Sequence, residues 1–230
     1  MKFPYNLEKQ QIKYPRIPHL PGSLGTEDDI RVSTMPPGPF YVFEKLDGAN
    51  VGIMMNGFGE LEFINRGSYI QSKRPHEQWG ALKKWAYERY VDLHEFFKRN
   101  PHTILYGEWL WAIHSVSYDS LPDYFIAFDI YDINKGEFYP YDLTELEVTR
   151  SGISCLTPLL TCDDLNDQRL FEDLRTFQRG GYSTRGDVEG FIFRRVGNYS
   201  EVYKYVLPEF HAGIKEHWFN RRVENNELLD

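Results

Sequence analysis

Apolar residues along the chain fall into short runs bounded by turn residues and one longer stretch with helical spacing. The runs predict strands, because four to nine apolar or alternating residues between glycine, proline and asparagine are typical of sheet structure. These strands are expected at 40–46, 50–56, 60–65, 103–109, 124–132, 190–194 and 201–206. Asn56-Gly57 marks a tight turn, so neighbouring strands are expected to pair antiparallel.

Between 75 and 99 the apolar residues recur every three or four positions, which predicts a helix with one buried face. These positions are Trp79, Leu82, Trp85, Ala86, Leu93, Phe96 and Phe97. We expect them to pack in the core and not to stack on nucleic-acid bases. Pro101 ends this helical region. Shorter helices are predicted at 142–151 and 163–180.

Three regions follow from these patterns. Residues 1–39 are rich in proline and glycine and predict an irregular arm packed on the domain. Residues 40–207 form the core, and 208–230 are expected to be a helical tail with no room for a full OB domain. Many short strands with a few helices make the fold class α+β, with antiparallel sheets flanked by helices.

Composition narrows the class of protein. The 230 residues are 41% hydrophobic, which is enough for a substantial core. Cys155 and Cys162 are too few for a disulfide framework or a zinc site, and no signal peptide or membrane span is evident. We therefore expect a cytoplasmic protein.

A net charge of −8 argues against a general nucleic-acid coat, but it permits a local basic patch. Candidate members of such a patch are Lys73-Arg74, Lys83-Lys84, Arg194-Arg195 and Arg221-Arg222.

Lys45-Leu46-Asp47-Gly48 is the motif with the clearest chemical content. It follows one apolar run and precedes another, so it predicts a strand, a tight turn carrying Lys45, and a returning strand. A lysine becomes a nucleophile when its ammonium loses a proton, which burial or nearby positive charge promotes. Taken alone, the motif also fits an ordinary surface hairpin.

Five more polar signatures follow at predicted strand ends. They are Asn65-Arg66-Gly67, Tyr106-Gly107-Glu108, Ala127-Phe128-Asp129-Ile130-Tyr131, Val188-Glu189-Gly190-Phe191 and Val202-Tyr203-Lys204-Tyr205. In this order, from about Tyr41 to Tyr205, the chain resembles the covalent nucleotidyltransferases, and most of all the phage-type ATP-dependent RNA ligases. The resemblance implies the nucleotidyltransferase fold, an ATP-grasp-like ligase adenylation domain.

The resemblance also implies roles for the residues that would act on phosphates. Lys45 matches the nucleophile, which forms a lysyl-AMP intermediate. Lys204 matches a lysine near the α-phosphate, and Glu189 matches the acidic residue that orients Mg²⁺. Asp47 matches the motif's carboxylate, which either contacts substrate or holds the lysine loop.

Other matching residues would recognise the nucleoside. Glu108 matches the carboxylate that accepts ribose hydroxyls, with an ordinary salt bridge as the alternative. Phe128 matches the aromatic residue that stacks on adenine, with Phe125 and Tyr131 as alternatives on the same strand. Arg66 would grip the nucleotide or the RNA end. We expect Glu44 to accept a hydrogen bond from the adenine amino group, which would favour ATP over GTP.

The chain departs from the family pattern in the last motif. The family often has two lysines one residue apart, whereas this chain has Val202 and Val206 at the flanking alternate positions. We expect Arg16 or Arg194 to supply the missing cation. Arg16 and His19 lie in a proline-stiffened segment that is predicted to contact phosphate or RNA, with a packed surface arm as the alternative.

The combined prediction is an ATP-dependent RNA ligase that uses ATP and Mg²⁺ to join 5′-phosphate and 3′-hydroxyl RNA ends, as in RNA repair. A phage or viral origin agrees with the resemblance. A DNA ligase or guanylyltransferase of the same fold is the first alternative. A nucleotide-binding or RNA-end-binding module without catalysis is the second. The RNA substrate, the host, the oligomeric state and any end-healing partner stay open.

Overall fold

The computed structural model describes residues 13–65, 68–70, 77–177, 182–183, 188–198, 200–213 and 223–229. Its strands are β1 (Pro37–Lys45), β2 (Ala49–Met55), β3 (Leu61–Asn65), β4 (Ser68–Tyr69), β5 (Thr103–Trp109), β6 (Phe125–Asp132), β7 (Glu137–Phe138), β8 (Leu160–Asp164), β9 (Gly190–Arg195) and β10 (Val202–Val206). Its helices are α1 (Glu77–Glu88), α2 (Tyr90–Arg99), α3 (Tyr141–Thr149), α4 (Gln168–Phe177) and α5 (Pro208–Gly213).

The chain alternates between two compact units. Unit 1 comprises Met1–Pro15, of which the described part begins at Lys13, with Ala49–Trp111 and Tyr124–Cys155. Unit 2 comprises Arg16–Gly48, Ala112–Asp123 and Leu156–Asp230.

Unit 1 is built on a sheet whose described strands run in the order β4-β3-β2-β5-β6-β7, with every neighbouring pair antiparallel. One face packs against α1 and α2, where the predicted helical stripe, including Leu82, Trp85 and Phe96, is buried with Phe125 and Ile130. The other face carries a smaller apolar cluster around Ile104 and Tyr106, with Phe128 and Tyr131 packed against it. Strand alternation separates the two faces.

Unit 2 contains a second antiparallel sheet, with its described strands in the order β10-β9-β1-β8. One face is apolar, formed by Phe40, Val42, Phe191 and Phe193. On the free edge of β10, His19 forms a parallel bridge with Lys204. The described part of the arm therefore extends this sheet by one short strand-like segment.

These observations confirm the predicted fold class, mixed α and β with antiparallel sheets and few helices. The largest differences from the predicted boundaries lie in the helices and the tail. The predicted helix at 75–99 divides at Arg89, and the helix predicted at 163–180 begins only at Gln168, after the unpredicted strand β8. The tail is helical over Pro208–Gly213, whereas 223–229 form isolated bridges. Trp218 and Phe219, predicted as helical, lie outside the described residues.

Cys155 and Cys162 are both free cysteines. Within the described residues, no helix is both long and apolar enough to cross a membrane.

Among the described glycines, Gly190 is the one where an added Cβ would lie closest to another atom. An added Cβ would lie 2.1 Å from the carbonyl oxygen of Tyr205 and 2.9 Å from the Cα of Val206. Because β10 cannot retreat without losing its pairing with β9, we expect Gly190→Ala to lower the free energy of unfolding by about 3 kcal/mol or more. Urea denaturation followed by far-ultraviolet circular dichroism measures this change.

Gly80 in α1 provides the matched control, since nothing lies within 4 Å of an added Cβ there. Gly80→Ala is expected to stabilise the protein by about 0.5–1 kcal/mol. An unchanged unfolding midpoint for Gly190→Ala would contradict the expectation.

Candidate active site

Lys45 is the last residue of β1 and lies beside the start of β9, since its Cα is paired with that of Gly190. Its Nζ donates a hydrogen bond to Oε2 of Glu189, the residue directly before β9. The two side chains are 22% and 14% exposed, so the ion pair is largely removed from water. The antiparallel pairing of β1 and β9 therefore brings together two residues that are 144 positions apart.

Lys204 lies on the same face of this sheet as Lys45. Its Cα is opposite Ile192, which in turn is opposite Phe43, two residues before Lys45. Burial lowers the pKa of Lys204, and the positive charge of Lys45 lowers it further. Two ammonium groups this close form a site that favours an anion, and phosphate is a suitable one.

Glu189 is the acidic member of this group. Burial raises the pKa of its carboxyl group, while the Lys45 ammonium acts in the opposite direction. Two lysines and one buried carboxylate thus share one end of the sheet. The group combines an amine beside a potential proton acceptor with a second positive charge, as amine attack on a phosphate requires.

Asp47 holds the loop that follows Lys45. Its carboxylate oxygen Oδ2 accepts hydrogen bonds from the backbone amides of Ser115 at 2.6 Å and Val116 at 2.8 Å. Its own amide donates to the hydroxyl oxygen of Tyr118 at 2.8 Å. These contacts support the interpretation in which Asp47 fixes the lysine loop.

The segment 223–229 is hydrogen-bonded to the loop that contains Ser115, Val116 and Tyr118. The amide of Tyr118 donates to Oδ1 of Asn226 at 2.8 Å, and the amide of Glu227 donates to the Tyr118 carbonyl at 2.9 Å. Asn226 is buried. A continuous set of hydrogen bonds therefore runs from Asn226 through Tyr118 to Asp47, two residues from Lys45.

Glu44 does not share the face that carries Lys45. Strand alternation turns it to the opposite side of β1, and it is 2% exposed. Its carboxylate accepts a hydrogen bond from the backbone amide of Tyr182, and burial raises its pKa to about 7. The structure therefore does not bring the side chain of Glu44 to the lysine pair, and it offers no support for contact with adenine.

The arm residues separate into one exposed and one buried. Arg16 is exposed, and its charge is near enough to lower the pKa of Lys204, although less than burial and Lys45 do. His19 is 1% exposed, and its Nδ1 lies 2.7 Å from the Ser23 hydroxyl oxygen. A direct contact between His19 and phosphate or RNA is therefore not supported. Arg194 lies on the Lys204 face but is buried.

Glu108 and Phe128 lie in unit 1, on the sheet face opposite α1 and α2. Asp129 is paired with Tyr106 and Ala127 with Gly107, which leaves Phe128 as the extra residue of a β-bulge. A bulge redirects a side chain and is common beside functional sites. Alternation along β5 places half-buried Glu108 on the same face as Tyr106.

The alternatives to Phe128 have other environments. Phe125 is fully buried among the residues that pack on α1 and α2. Tyr131 packs against the Phe138 ring, with centroids 5.0 Å apart. Tyr14 packs edge-on against Phe128, with centroids 5.5 Å apart, and its hydroxyl donates to Asp129 Oδ2 at 2.5 Å. Phe128 is thus half-buried, with Tyr14 against it.

Some of the predicted basic residues have no described position. Arg66, Lys73-Arg74 and Arg221-Arg222 lie outside the described residues.

Among the residues that are described, no group of three or more His, Cys, Asp and Glu could hold a metal ion. A single carboxylate such as Glu189 fits Mg²⁺, which in nucleotide sites is bound by one or two carboxylates together with phosphates and water.

Several residues of the site carried no sequence signal. Asp29, whose carboxylate faces Lys204 at 3.9 Å, stands in an acidic segment that looks like solvated surface. Asn226 is an isolated amide in a polar tail. Tyr118 lies between β5 and β6, outside every motif that the sequence analysis singled out.

A family model described as RNA ligase matches residues 38–206, which is most of the chain. The chain therefore belongs to the RNA ligase family. A search of curated proteins finds no match.

Solved structures of RNA ligases share the fold. An archaeal ATP-dependent RNA ligase has 20% identity and a TM-score of 0.56, covering 77% of this chain and 45% of that one. A lysine-to-alanine variant of Naegleria gruberi RNA ligase, solved with ATP and Mn, has 20% identity and a TM-score of 0.55, covering 77% and 52%. Another Naegleria gruberi RNA ligase variant, without ligand, has 17% identity and the same TM-score of 0.55, with the same coverage. The chain spans about half the length of these relatives.

The buried Glu44 carboxyl group predicts a pH dependence of stability. In an unfolded chain a glutamate titrates near 4.5, so the folded protein, with a pKa of about 7, binds this proton more tightly. Raising the pH from 4.5 through about 7 charges this buried group and so destabilises the folded protein. Above pH 7 the free energy of unfolding is lower by about 3 kcal/mol. We expect Glu44→Gln to remove that loss and to raise the free energy of unfolding at pH 8 but not at pH 4.5.

Urea denaturation at pH 4.5, 6, 7 and 8 measures the difference between wild type and variant. Exposed Glu137 supplies the matched control, and Glu137→Gln is expected to change stability little at any of these pH values. A Glu44→Gln effect that stays constant with pH would contradict the expectation.

Proposed function

We propose that this protein is an ATP-dependent RNA ligase that works through a lysyl-AMP intermediate. The observation that carries the proposal is the grouping of Lys45, Glu189 and Lys204 at one end of the unit 2 sheet. This grouping lies within the region matched by the RNA ligase family. It provides a nucleophile, a carboxylate and a phosphate-binding cation together.

In the first step the Lys45 amine attacks the α-phosphorus of ATP. The new N–P bond forms as the bond between the α-phosphorus and the bridging oxygen breaks, and pyrophosphate leaves with that electron pair. The amine must first lose a proton, and Glu189 is in direct contact to receive it. Lys204 supplies positive charge for the phosphate oxygens, and the same charge favours the neutral amine of its neighbour.

Unit 1 supplies the residues proposed for the nucleoside. Phe128 offers an aromatic surface for adenine, and Glu108 on the same sheet face offers acceptors for the ribose hydroxyls. Arg66 remains a proposed contact for the nucleotide or the RNA end.

A divalent metal is part of this proposal. One Naegleria gruberi RNA ligase structure contains ATP and Mn, and Glu189 has the chemistry to hold such an ion together with phosphate oxygens. When bound, Mg²⁺ neutralises charge on the phosphates. Glu189 would then serve both as a metal ligand and as the partner of the Lys45 amine.

The later steps join the RNA ends. AMP passes from Lys45 to a 5′-phosphate end, and a 3′-hydroxyl then displaces AMP to form the phosphodiester. Arg16, exposed and close to Lys204, is positioned to meet a second phosphate in these steps. Two free cysteines agree with a cytoplasmic location.

The first test is the mass of the intact protein after incubation with ATP and Mg²⁺. We expect an AMP-sized increase with ATP and none with Lys45→Ala, because the phosphoramidate forms on the Lys45 amine. Lys84→Ala is the matched control, since Lys84 is a solvent-exposed lysine on α1. It should be adenylylated as wild type is.

The nucleotide and the substrate distinguish the alternatives. An increase with GTP instead of ATP would indicate a guanylyltransferase, and sealing of nicked DNA but not RNA would indicate a DNA ligase. If folded protein stripped of bound AMP gains no mass with either nucleotide, the ligase proposal fails and a binding module becomes the better explanation.

The proposed contact between Glu108 and the ribose can be tested by comparing nucleotides that differ in their sugar. If its carboxylate accepts both ribose hydroxyls, wild type should prefer ATP over 2′-deoxyATP by about tenfold in adenylylation, the worth of one charged hydrogen bond. Glu108→Ala should react more slowly with ATP and lose most of that preference. Glu60→Ala, at an exposed turn, should keep it. An equal preference in wild type and Glu108→Ala would contradict the assignment.

A further inference from the structure

The strand that carries Lys204 is held on both edges. One edge of β10 pairs with β9, and the other pairs with the arm. The Lys204 amide donates to the Pro18 carbonyl at 2.9 Å, and the Leu20 amide donates to the Lys204 carbonyl at 2.9 Å. Two residues on, the Val206 amide donates to the Ser23 hydroxyl at 2.9 Å. The backbone of Lys204 is therefore fixed by the arm as well as by its own sheet.

The same arm brings a carboxylate to the side chain of Lys204. Oδ1 of Asp29 lies 3.9 Å from the Lys204 ammonium. Oδ2 of Asp29 accepts hydrogen bonds from the amide of Thr26 at 2.8 Å and from its hydroxyl at 3.1 Å. Both hydrogen bonds from Thr26 lower the pKa of Asp29, and the one from the amide has the larger effect. Asp29 is thus a fixed anion with one oxygen directed to its own turn and the other to Lys204.

His19 supports this carboxylate from inside the unit. Its Nε2 lies 3.4 Å from Oδ2 of Asp29, and its Nδ1 contacts the hydroxyl of Ser23. Burial lowers the pKa of His19, and the charge of Lys204 lowers it further. A neutral imidazole thus lies between the Ser23 hydroxyl and the Asp29 carboxylate.

Several charged groups face Lys204, and Asp29 has a particular place among them. Lys45 from β1 and Arg16 from the arm disfavour its ammonium, whereas Asp29 and Glu189 favour it. Asp29 is the stronger of the two favourable groups, and Glu189 is already engaged by Lys45. Asp29 therefore offsets part of the repulsion that Lys45 exerts on the Lys204 ammonium.

We propose that Asp29 is a positioning residue that orients the Lys204 side chain for the phosphate chemistry, with Thr26 and His19 holding its carboxylate in place. The inference rests on the proposed function of Lys204. A lysine side chain has four rotatable bonds, and ordering them during the reaction would add to the barrier. A carboxylate that holds the ammonium beforehand removes that part of the barrier. The same carboxylate repels an incoming triphosphate, so its loss should affect chemistry and nucleotide binding in opposite directions.

The test is Asp29→Asn, which keeps the size of the side chain and one acceptor oxygen for Thr26 but removes the charge. We expect the rate constant for Lys45 adenylylation at saturating ATP to fall by about tenfold, as is usual when a residue supporting a reactive group is changed. The ATP concentration for half-maximal rate should stay the same or decrease, because a negative charge near the phosphates is gone. Asp28→Asn, the same change at the exposed neighbouring position, is the control and should match wild type.

The pH profile provides a second measurement. Asp29 raises the pKa of Lys204, so its removal lowers that pKa. Since Lys204 acts as a cation, Asp29→Asn should lose activity on the alkaline side at a lower pH than wild type does. Asp29→Glu restores the charge, so the alkaline loss of activity should move back toward the pH at which wild type loses activity. A change that only loosened the fold would lower the rate at all pH values and would not be reversed by Glu.

The outcomes separate this inference from the proposed function. If wild type forms lysyl-AMP but Asp29→Asn, shown to be folded by its thermal unfolding, matches Asp28→Asn in rate and pH profile, the positioning role is wrong. A rise in the half-saturating ATP concentration with an unchanged rate constant would also overturn it. If wild type forms no adduct while Asp29→Asn is folded, the proposed function fails first and the positioning role fails with it.

Discussion

Repulsion between two half-buried ammonium groups is the constraint on which the site of unit 2 depends. Lys45 and Lys204 are placed on one sheet face by the pairing of β1 and β10 with β9. Burial and like charge both disfavour an ammonium, so a nearby carboxylate stabilises each of the two charges. Glu189 compensates Lys45 directly, and Asp29 compensates Lys204 from the arm. An arriving polyphosphate would meet two cations whose positions are already set.

The rigidity of this arrangement comes from hydrogen bonds between side chains and backbone amides that are far apart in sequence. Asp47 ties the lysine loop to the amides of Ser115 and Val116, and Asn226 holds that second loop through Tyr118. Such contacts do not touch substrate, yet they limit how far the Lys45 backbone can move. A reactive group held to within a fraction of an ångström needs this kind of support.

The two units carry different parts of the proposed chemistry. Unit 2 holds the lysines and carboxylates suited to phosphate, whereas unit 1 carries Phe128 and Glu108 on one face of its sheet. Strand alternation puts the Phe128 ring on the face opposite the helix-packed core that Phe125 occupies, and the bulge leaves Phe128 without a partner on β5. The N-terminal arm contributes to both units, with Tyr14 against Phe128 in unit 1 and with His19 and Asp29 beside Lys204 in unit 2.

The sequence by itself determined most of the strands, the α+β class and the family, because periodicity and the order of short motifs can be read along the chain. It also selected Lys45, Glu189 and Lys204 as candidates, because their motifs resemble those of the family and follow in the same order. Only the tertiary structure decided which carboxylates face them. Glu44 adjoins Lys45 in sequence, yet strand alternation sends it to the opposite face, where burial raises its pKa. Asp29 is 175 residues from Lys204, but the pairing of the arm with β10 brings it close. A side chain's neighbours are set by register and strand order, and those depend on pairings between residues distant in sequence.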